Sequence, residues 1–139
     1  MRVMRLLIDT NIILDAILNR EPWAKLAREV MLAIAEEKAV GCLTASSMTD
    51  IFYILRKHTV SKESAKQALL GLMAVFTVLD VTGGDCEKAF DLAMSDYEDA
   101  LLAFCGKRHR VDYIITGDIK HFAGSPVKAV MPKEILGSL

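Results

Sequence analysis

The stretch Val3–Asp15 constrains the fold of this chain more than any other. Residues 3–8 form a nearly continuous apolar run that only Arg5 interrupts, and such runs are typical of strands buried on both faces of a parallel sheet. Asp9 ends the run, and apolar residues then recur at helical spacing, with Asn11 predicted to cap that helix. Ligands of open α/β sheets bind in the crevice beyond the carboxyl ends of the strands. The sequence therefore predicts Asp9 in such a crevice, with a purely local capping role as the alternative.

A second apolar run ends in the same way. Tyr113–Thr116 is followed directly by Gly117 and Asp118. Further strands are predicted at residues 40–43, 77–81 and 127–131. Because helical patterns fill the segments between these strands, the chain should consist of βαβ units. We predict one α/β domain over residues 1–139, with helices on both sides of a mostly parallel central sheet of four or five strands.

The composition excludes several classes of protein. Hydrophobic residues make up 53% of the chain, yet no apolar run approaches the roughly 20 residues that span a bilayer. The first apolar run stops at Asp9 without a small-residue cleavage site, so we expect no signal peptide, no membrane partner and a cytoplasmic location. Three scattered cysteines without C-x-x-C spacing indicate neither a disulfide framework nor a zinc site. A net charge of −1 argues against nucleic-acid binding through bulk positive charge.

Helical periodicity predicts which side chains face the core. The second helix should run from Pro22 to about Lys38 with Trp23 on its buried face. Phe90 is predicted to point inward from a later helix. Asp15 lies one turn after Asn11 and is predicted to be an exposed helix residue, with a place in the site as the alternative.

Two basic groups close predicted helices, Arg56–His58 and Lys107–Arg110. Cations at helix carboxyl termini are favoured by the helix dipole, so we interpret both groups as helix ends. The alternative is that they flank the acidic crevice and contact phosphates. The histidines lack zinc-binding spacing, and no G-x-S-x-G elbow predicts a serine hydrolase.

Carboxylates gather at the predicted crevice. Asp9 and Asp118 end strands, Asp50 lies near the start of a helix, and Asp96 and Asp99 are three residues apart on another, where they should share a face. Several carboxylates without a matching cation resist joint ionisation. A hard divalent cation such as Mg²⁺ or Mn²⁺ would resolve the repulsion, and such ions support phosphodiester hydrolysis.

Four ordered motifs carry a resemblance to a known family. They are Leu7-Ile8-Asp9-Thr10-Asn11, Ser47 followed by Asp50–Arg56, Asp96-Tyr97-Glu98-Asp99-Ala100-Leu101, and Ile115-Thr116-Gly117-Asp118 followed by Phe122. With these motifs the chain resembles the PIN domain family, in particular its small stand-alone VapC-like toxins. The resemblance spans nearly the whole sequence, and any one motif alone would be a weak signal.

The resemblance implies a metal-dependent ribonuclease. Asp9, Asp99 and Asp118 would be the ligands of Mg²⁺ or Mn²⁺, and Asp50 would complete the catalytic quartet at a position where the family more often has Glu. Many members also have an acid where His121 stands. The supporting residues implied by the resemblance are Asn11, Thr116 and Asp96, the last as a helix cap, a ligand-shell residue or both.

The resemblance also implies partners. RNA would be the substrate, an antitoxin protein would cover the crevice, and the high apolar content predicts a homodimer. The alternative is a PIN-like module that binds RNA or protein with weak or no catalysis. A metal-free phosphatase-like or response-regulator-like domain is a more distant alternative, since it would require a Lys near the last strand.

Overall fold

The computed structural model describes residues 2–59 and 61–139, and its centre is a five-stranded parallel sheet. The strands are β1 (Arg5–Ile8), β2 (Val40–Thr44), β3 (Thr77–Leu79), β4 (Tyr113–Ile115) and β5 (Ala129–Val130). Their spatial order is β3-β2-β1-β4-β5, and every neighbouring pair is parallel. The predicted α/β architecture is confirmed, and the strand count is the upper of the two expected values.

Helices cover the sheet. Within the described residues they are α1 (Thr10–Ile17), α2 (Ala24–Ala35), α3 (Ala45–His58), α4 (Lys62–Val75), α5 (Gly83–Lys88), α6 (Tyr97–Arg108) and α7 (Pro132–Leu136), with 3-10 turns at Ala89–Asp91 and Ile119–Phe122. No described helix is long and apolar enough to cross a membrane. The second helix is shorter than predicted, because Glu37 adopts a left-handed φ of 62° that ends the helical path.

Side chains alternate between the two faces of the sheet, so a hydrophobic core forms on each face. The fold therefore has three layers, with helices on both sides of the sheet. On one face, Leu6 and Ile8 of β1 pack with buried residues of α1, α2, α3, α4 and α7. On the other face, Leu7 packs with Ile114 and with Ala103 of α6. Successive side chains of a strand point to opposite faces, so a continuous apolar run is what a strand covered on both sides requires.

The strand order reverses beside β1. The chain passes from β1 to β2 and β3 on one side and then returns to place β4 on the other side of β1. The hydrogen bonding between β1 and β4 continues one residue beyond β1, where the Asp9 amide donates to the Ile115 carbonyl over 2.9 Å. A crevice at such a reversal is where open α/β sheets bind ligands.

Two aromatic side chains predicted to face the core are on the surface. Trp23 precedes α2 and is 58% exposed, while Phe90 is 75% exposed and stacks on Tyr97 with ring centroids 4.3 Å apart. The predictions were wrong because both residues lie where a helix starts or ends. Trp23 occupies the N-cap position of α2, and Phe90 lies in the 3-10 turn after α5, so helical periodicity does not set their direction.

Candidate functional site

A cleft of about 640 Å³ opens at the carboxyl ends of β1 and β4. It brings together residues that lie far apart in sequence, from α1, α3, α6 and the segment after β4. The carboxylates on its walls come from Asp9, Asp15, Asp50, Glu98, Asp99 and Asp118. The structure thus gathers all four residues of the predicted catalytic quartet in one cleft.

Asp9 and Asp118 are linked through Thr116. The Thr116 hydroxyl donates to Oδ2 of Asp9 over 2.9 Å, and the same hydroxyl oxygen accepts from the Asp118 backbone amide over 3.1 Å. Thr116 is fully buried, so its hydroxyl has these two partners in place of water. Asp9 occupies the N-cap position of α1, yet its side chain makes no capping bond to the helix. The Asp9 side chain is therefore held by Thr116 and does not act as the local helix cap that was the alternative interpretation.

His121 lies between two of the predicted ligands. Its Nδ1 is 3.6 Å from Oδ2 of Asp99, and its Nε2 is 3.3 Å from Oδ2 of Asp118. The sequence shows His121 close to a motif acid and at a position where many family members have an acid, but it does not predict His121 as a site residue. The 3-10 turn after β4 brings its side chain back over the cleft, and the spacing of three residues from Asp118 was the available signal.

Glu98 lies beside Asp50 in the cleft. Burial first, then a hydrogen bond with Asp50 and the charges of Asp50, Asp96 and Asp9, raise the pKa of Glu98. Glu98 belongs to one of the four motifs, but the sequence does not predict it as a site residue. Glu98 and Asp99 in the first turn of α6 both line the cleft, so the position at which this helix starts was the missing information.

Two of the predicted supporting residues, Asp96 and Asn11, occupy different positions relative to the cleft. Asp96 caps α6, its Oδ1 accepting from the Asp99 amide over 2.9 Å, and it does not line the cleft. Its negative charge still contributes to the raised pKa of Asp99. Asn11 lines the cleft from the first turn of α1 but does not cap that helix, because α1 already begins at Thr10.

The cleft is electrostatically unfavourable for anions. Burial first, then the neighbouring charges of Asp96 and Asp9, raise the pKa of Asp99 to about 6, while His121 opposes the shift. Burial also raises the pKa of Asp9, against the hydrogen bond from Thr116. Ionised carboxylates that are desolvated near one another resist joint ionisation. A cation bound between Asp9 and Asp99 would relieve this repulsion.

The donor chemistry fits a hard divalent cation. Mg²⁺ and Mn²⁺ prefer carboxylate oxygens, and the repelling groups here are carboxylates. In residues 2–59 and 61–139, however, no three His, Cys, Asp or Glu side chains already stand in a metal-holding arrangement. Asp9 and Asp99 are the partly buried members, whereas the Asp118 side chain is 54% exposed.

Asp15 is buried, contrary to prediction. Its side chain is 13% exposed, and its Oδ1 lies 2.8 Å from Nε of Arg20 in a close ionic contact. Arg20 also donates to the Asn11 carbonyl over 3.3 Å. The loop after α1 folds back over the helix, so a position that helical periodicity places outside is covered. Both residues line the cleft, which makes the alternative interpretation of Asp15 the correct one.

The basic groups do not line the cleft themselves, although Lys57 lies 4.5 Å from the ring centroid of Tyr53, which does. Arg108 binds the Asp85 carboxylate at 2.7 and 2.8 Å and donates to the Asp80 carbonyl at 2.8 Å, which anchors α6 at its carboxyl end. Neither Arg56–His58 nor Lys107–Arg110 lines the cleft in the part of the chain that the structure describes. Both groups lie at helix ends, as interpreted, and the part of the flanking alternative that concerns Lys107–Arg110 does not agree with the structure.

Comparison with protein-family models decides the family. The model described as PIN domain matches residues 5–120. This chain belongs to the PIN domain family. The match covers the strands β1 to β4 and therefore every acid of the cleft, and it confirms the resemblance read from the four motifs. A comparison with curated proteins found no match.

Solved structures share the PIN fold over nearly their full length. The toxin–antitoxin complex of Klebsiella pneumoniae is 21% identical, with 91% of this chain and 97% of that chain covered at a TM-score of 0.69. VapBC2 of Rickettsia felis bound to promoter DNA is 16% identical, with coverage of 92% and 98% and a TM-score of 0.69. VapC20 of Mycobacterium tuberculosis, a sarcin–ricin loop cleaving toxin, is 14% identical, with coverage of 85% and 93% and a TM-score of 0.68. At such identities the likeness concerns the fold alone.

Proposed function

We propose that this PIN domain protein is a metal-dependent endoribonuclease and the toxin of a toxin–antitoxin module. The observation that carries the proposal is the meeting of Asp9, Asp99 and Asp118 in one cleft at the strand-order reversal. Family membership supports nuclease chemistry, and VapC20, named for cleavage of the sarcin–ricin loop, supports RNA as the substrate class.

Each acid would have a distinct part. Asp9, Asp99 and Asp118 would hold Mg²⁺ or Mn²⁺, and a bound divalent cation supplies Lewis-acid activation for phosphodiester hydrolysis. Thr116 fixes the Asp9 carboxylate by donating to its Oδ2. Asp50, which has Glu98 beside it in the cleft, would orient water or accept a proton.

RNA cleavage is the direct test. The purified protein should cut RNA with Mg²⁺ or Mn²⁺ and not in excess EDTA. Asp9→Asn and Asp99→Asn should each reduce cleavage by at least about 100-fold, since each removes a charge that would hold the cation. Asp91→Asn is the matched control, because Asp91 is exposed and does not line the cleft. Full cleavage in EDTA, or full activity of both cleft variants, would contradict the nuclease proposal.

The alternative is a PIN-like binding module with weak or no catalysis. It predicts retention of RNA in a gel-shift assay without any cleavage product. A thermal-shift titration with Mn²⁺ separates a metal site from its activity, since a ligand of the folded state raises the melting temperature according to its concentration over Kd. We expect Mn²⁺ to stabilise the wild type and to stabilise Asp9→Asn much less.

The proposed partners follow from the same cleft. An antitoxin segment should cover the carboxylates, with an Arg in place of the cation, and the complexes from Klebsiella pneumoniae and Rickettsia felis support such a partner. Copurification with the product of a neighbouring reading frame tests this part. The homodimer, the single domain over residues 1–139 and the cytoplasmic location stay predictions, and light scattering tests the first of them.

A further inference from the structure

Aromatic and cationic side chains line the cleft as well as carboxylates, and we call this part of the lining the aromatic wall. Arg20, Trp23 and Tyr53 all line the same cleft as Asp9 and Asp99. We propose that these three residues form a nucleotide-binding site, in which an unpaired base stacks on the aromatic rings and its phosphate contacts Arg20. The inference rests on the proposed function, in that it takes the cleft to receive RNA.

Both rings are exposed enough for stacking, although the Lys57 ammonium lies over one face of Tyr53. Trp23 is 58% exposed and Tyr53 is 61% exposed, although large aromatic side chains are usually mostly buried. Planar aromatic faces stack on nucleobases of any sequence, and each such contact contributes measurably to single-strand affinity. Exposed rings that share a cleft with catalytic carboxylates would therefore hold a base close to the scissile phosphate.

The loop that carries Arg20 and Trp23 is held in place before any ligand binds. The Arg20 amide donates to the Asp15 carbonyl over 3.0 Å, and the Trp23 amide donates to the Arg20 carbonyl over 3.1 Å. The Arg20 side chain contacts the buried Asp15 carboxylate and the Asn11 carbonyl. A preordered site loses less entropy when it binds its ligand. The buried Asp15 carboxylate therefore helps to position Arg20.

Two cations near the aromatic rings, away from the carboxylates Asp9 and Asp99, favour a nucleic acid over an apolar protein segment as the occupant of this wall. The Arg20 side chain is 38% exposed, and the Lys57 ammonium lies 4.5 Å from the centroid of the Tyr53 ring. An aromatic face with a cation beside it matches a base with its phosphate. Duplex RNA offers phosphates but keeps its bases stacked in pairs, so the site should prefer unpaired nucleotides.

Trp23 is the only tryptophan of the chain, so its fluorescence reports on this wall alone. We would titrate full-length Asp99→Asn protein in EDTA with a 12-nucleotide single-stranded RNA, its duplex and an abasic strand of the same length, and verify by gel that the RNA stays intact. The expected result is quenching of Trp23 by the single strand, with affinities at least about tenfold lower for the duplex and the abasic strand.

Matched variants separate the aromatic wall from a general loss of stability. In the same background, anisotropy of labelled single-stranded RNA should show that Trp23→Leu and Tyr53→Leu each raise Kd by about 5- to 100-fold. Arg20→Gln should raise Kd and reduce its salt dependence. Phe90→Leu is the control, since Phe90 is an even more exposed aromatic residue that does not line the cleft. It should leave Kd unchanged, and circular dichroism verifies that each variant folds.

Three results would overturn the inference. They are equal affinity for the abasic and base-bearing strands, loss of affinity in Phe90→Leu equal to that in Tyr53→Leu, and unchanged Trp23 fluorescence when anisotropy shows that RNA is bound. None of these measurements uses cleavage. Failure of the nuclease proposal would instead appear as wild-type protein that binds RNA through this wall but never cuts it.

Discussion

Thr116 and Asp9 are joined by a 2.9 Å hydrogen bond from the hydroxyl of one to Oδ2 of the other. The contact spans the ends of β4 and β1, the two strands between which the order of the sheet reverses. Because Thr116 is fully buried, its hydroxyl fixes the position of the Asp9 carboxylate and compensates part of its desolvation.

Replacement of Thr116 by Val tests this contact. Val keeps the size of the side chain but removes the donor to Asp9 and the acceptor for the Asp118 amide. Leaving these polar groups unpaired should lower the free energy of unfolding by about 1–3 kcal/mol and reduce RNA cleavage by about tenfold or more. Urea unfolding and initial cleavage rates measure the two effects. Thr116→Ser keeps the hydroxyl and should retain most of both, so equal losses in the two variants would contradict a role for the hydroxyl.

The metal-free protein should lose stability as pH rises through the range of the Asp99 titration. Burial and the charges of Asp96 and Asp9 raise the pKa of Asp99 from its ordinary value of 3.8 to about 6. Between these values the folded state binds more protons than the unfolded state, so the free energy of unfolding falls with rising pH and levels off above about pH 6.

Asp99→Asn should remove this loss. At pH 7 without metal it should melt about 3–5 °C above wild type, which corresponds to roughly 1 kcal/mol after allowance for solvent screening. At pH 4 the two proteins should melt at similar temperatures. Thermal unfolding in EDTA across this pH range measures the difference, with Asp91→Asn as the control. A lower melting temperature for Asp99→Asn at pH 7 would mean that the acids do not repel one another in the cleft.

Asp15→Asn should destabilise the protein, because it removes the charge that faces Arg20 at 2.8 Å. With one partner largely buried, we expect a loss of about 1–2 kcal/mol. Arg20→Gln should cost a similar amount, and the double variant should cost less than the sum of the two. A double-mutant cycle by urea unfolding gives the coupling energy, and strict additivity would show that the ionic contact contributes nothing to folding.

Gly41 and Gly71 should respond to alanine in opposite directions. A Cβ at Gly41 would lie 2.7 Å from Cγ2 of Ile34 and 2.8 Å from Cδ1 of Phe76, so Gly41→Ala should destabilise by about 1–3 kcal/mol through overpacking between β2 and its covering helices. At Gly71 within α4 a Cβ meets no atom within 4 Å, and Gly71→Ala should stabilise by about 0.5–1 kcal/mol through helix propensity. Urea midpoints of the pair measure both effects, and equal signs would place the packing of β2 in doubt.

The sequence alone determined the parallel sheet and the identity of the acids at its carboxyl edge. Strands buried on both faces require continuous apolar runs, so Arg5–Ile8 and Tyr113–Ile115 were recognisable locally, and Asp9 and Asp118 followed from their positions just beyond those strands. The length of β5 was overestimated, since only Ala129–Val130 pair with β4.

Only the tertiary structure decided which other side chains enter the cleft. Asp15 is buried because the loop after α1 folds back over it, and Trp23 is exposed because it occupies the N-cap position of α2 rather than its interior. Glu98 and His121 reach the cleft through the position at which α6 starts and the 3-10 turn after β4. Periodicity describes the interior of a helix, whereas the direction of a side chain at a helix end depends on the backbone path and on what packs there from elsewhere in the chain.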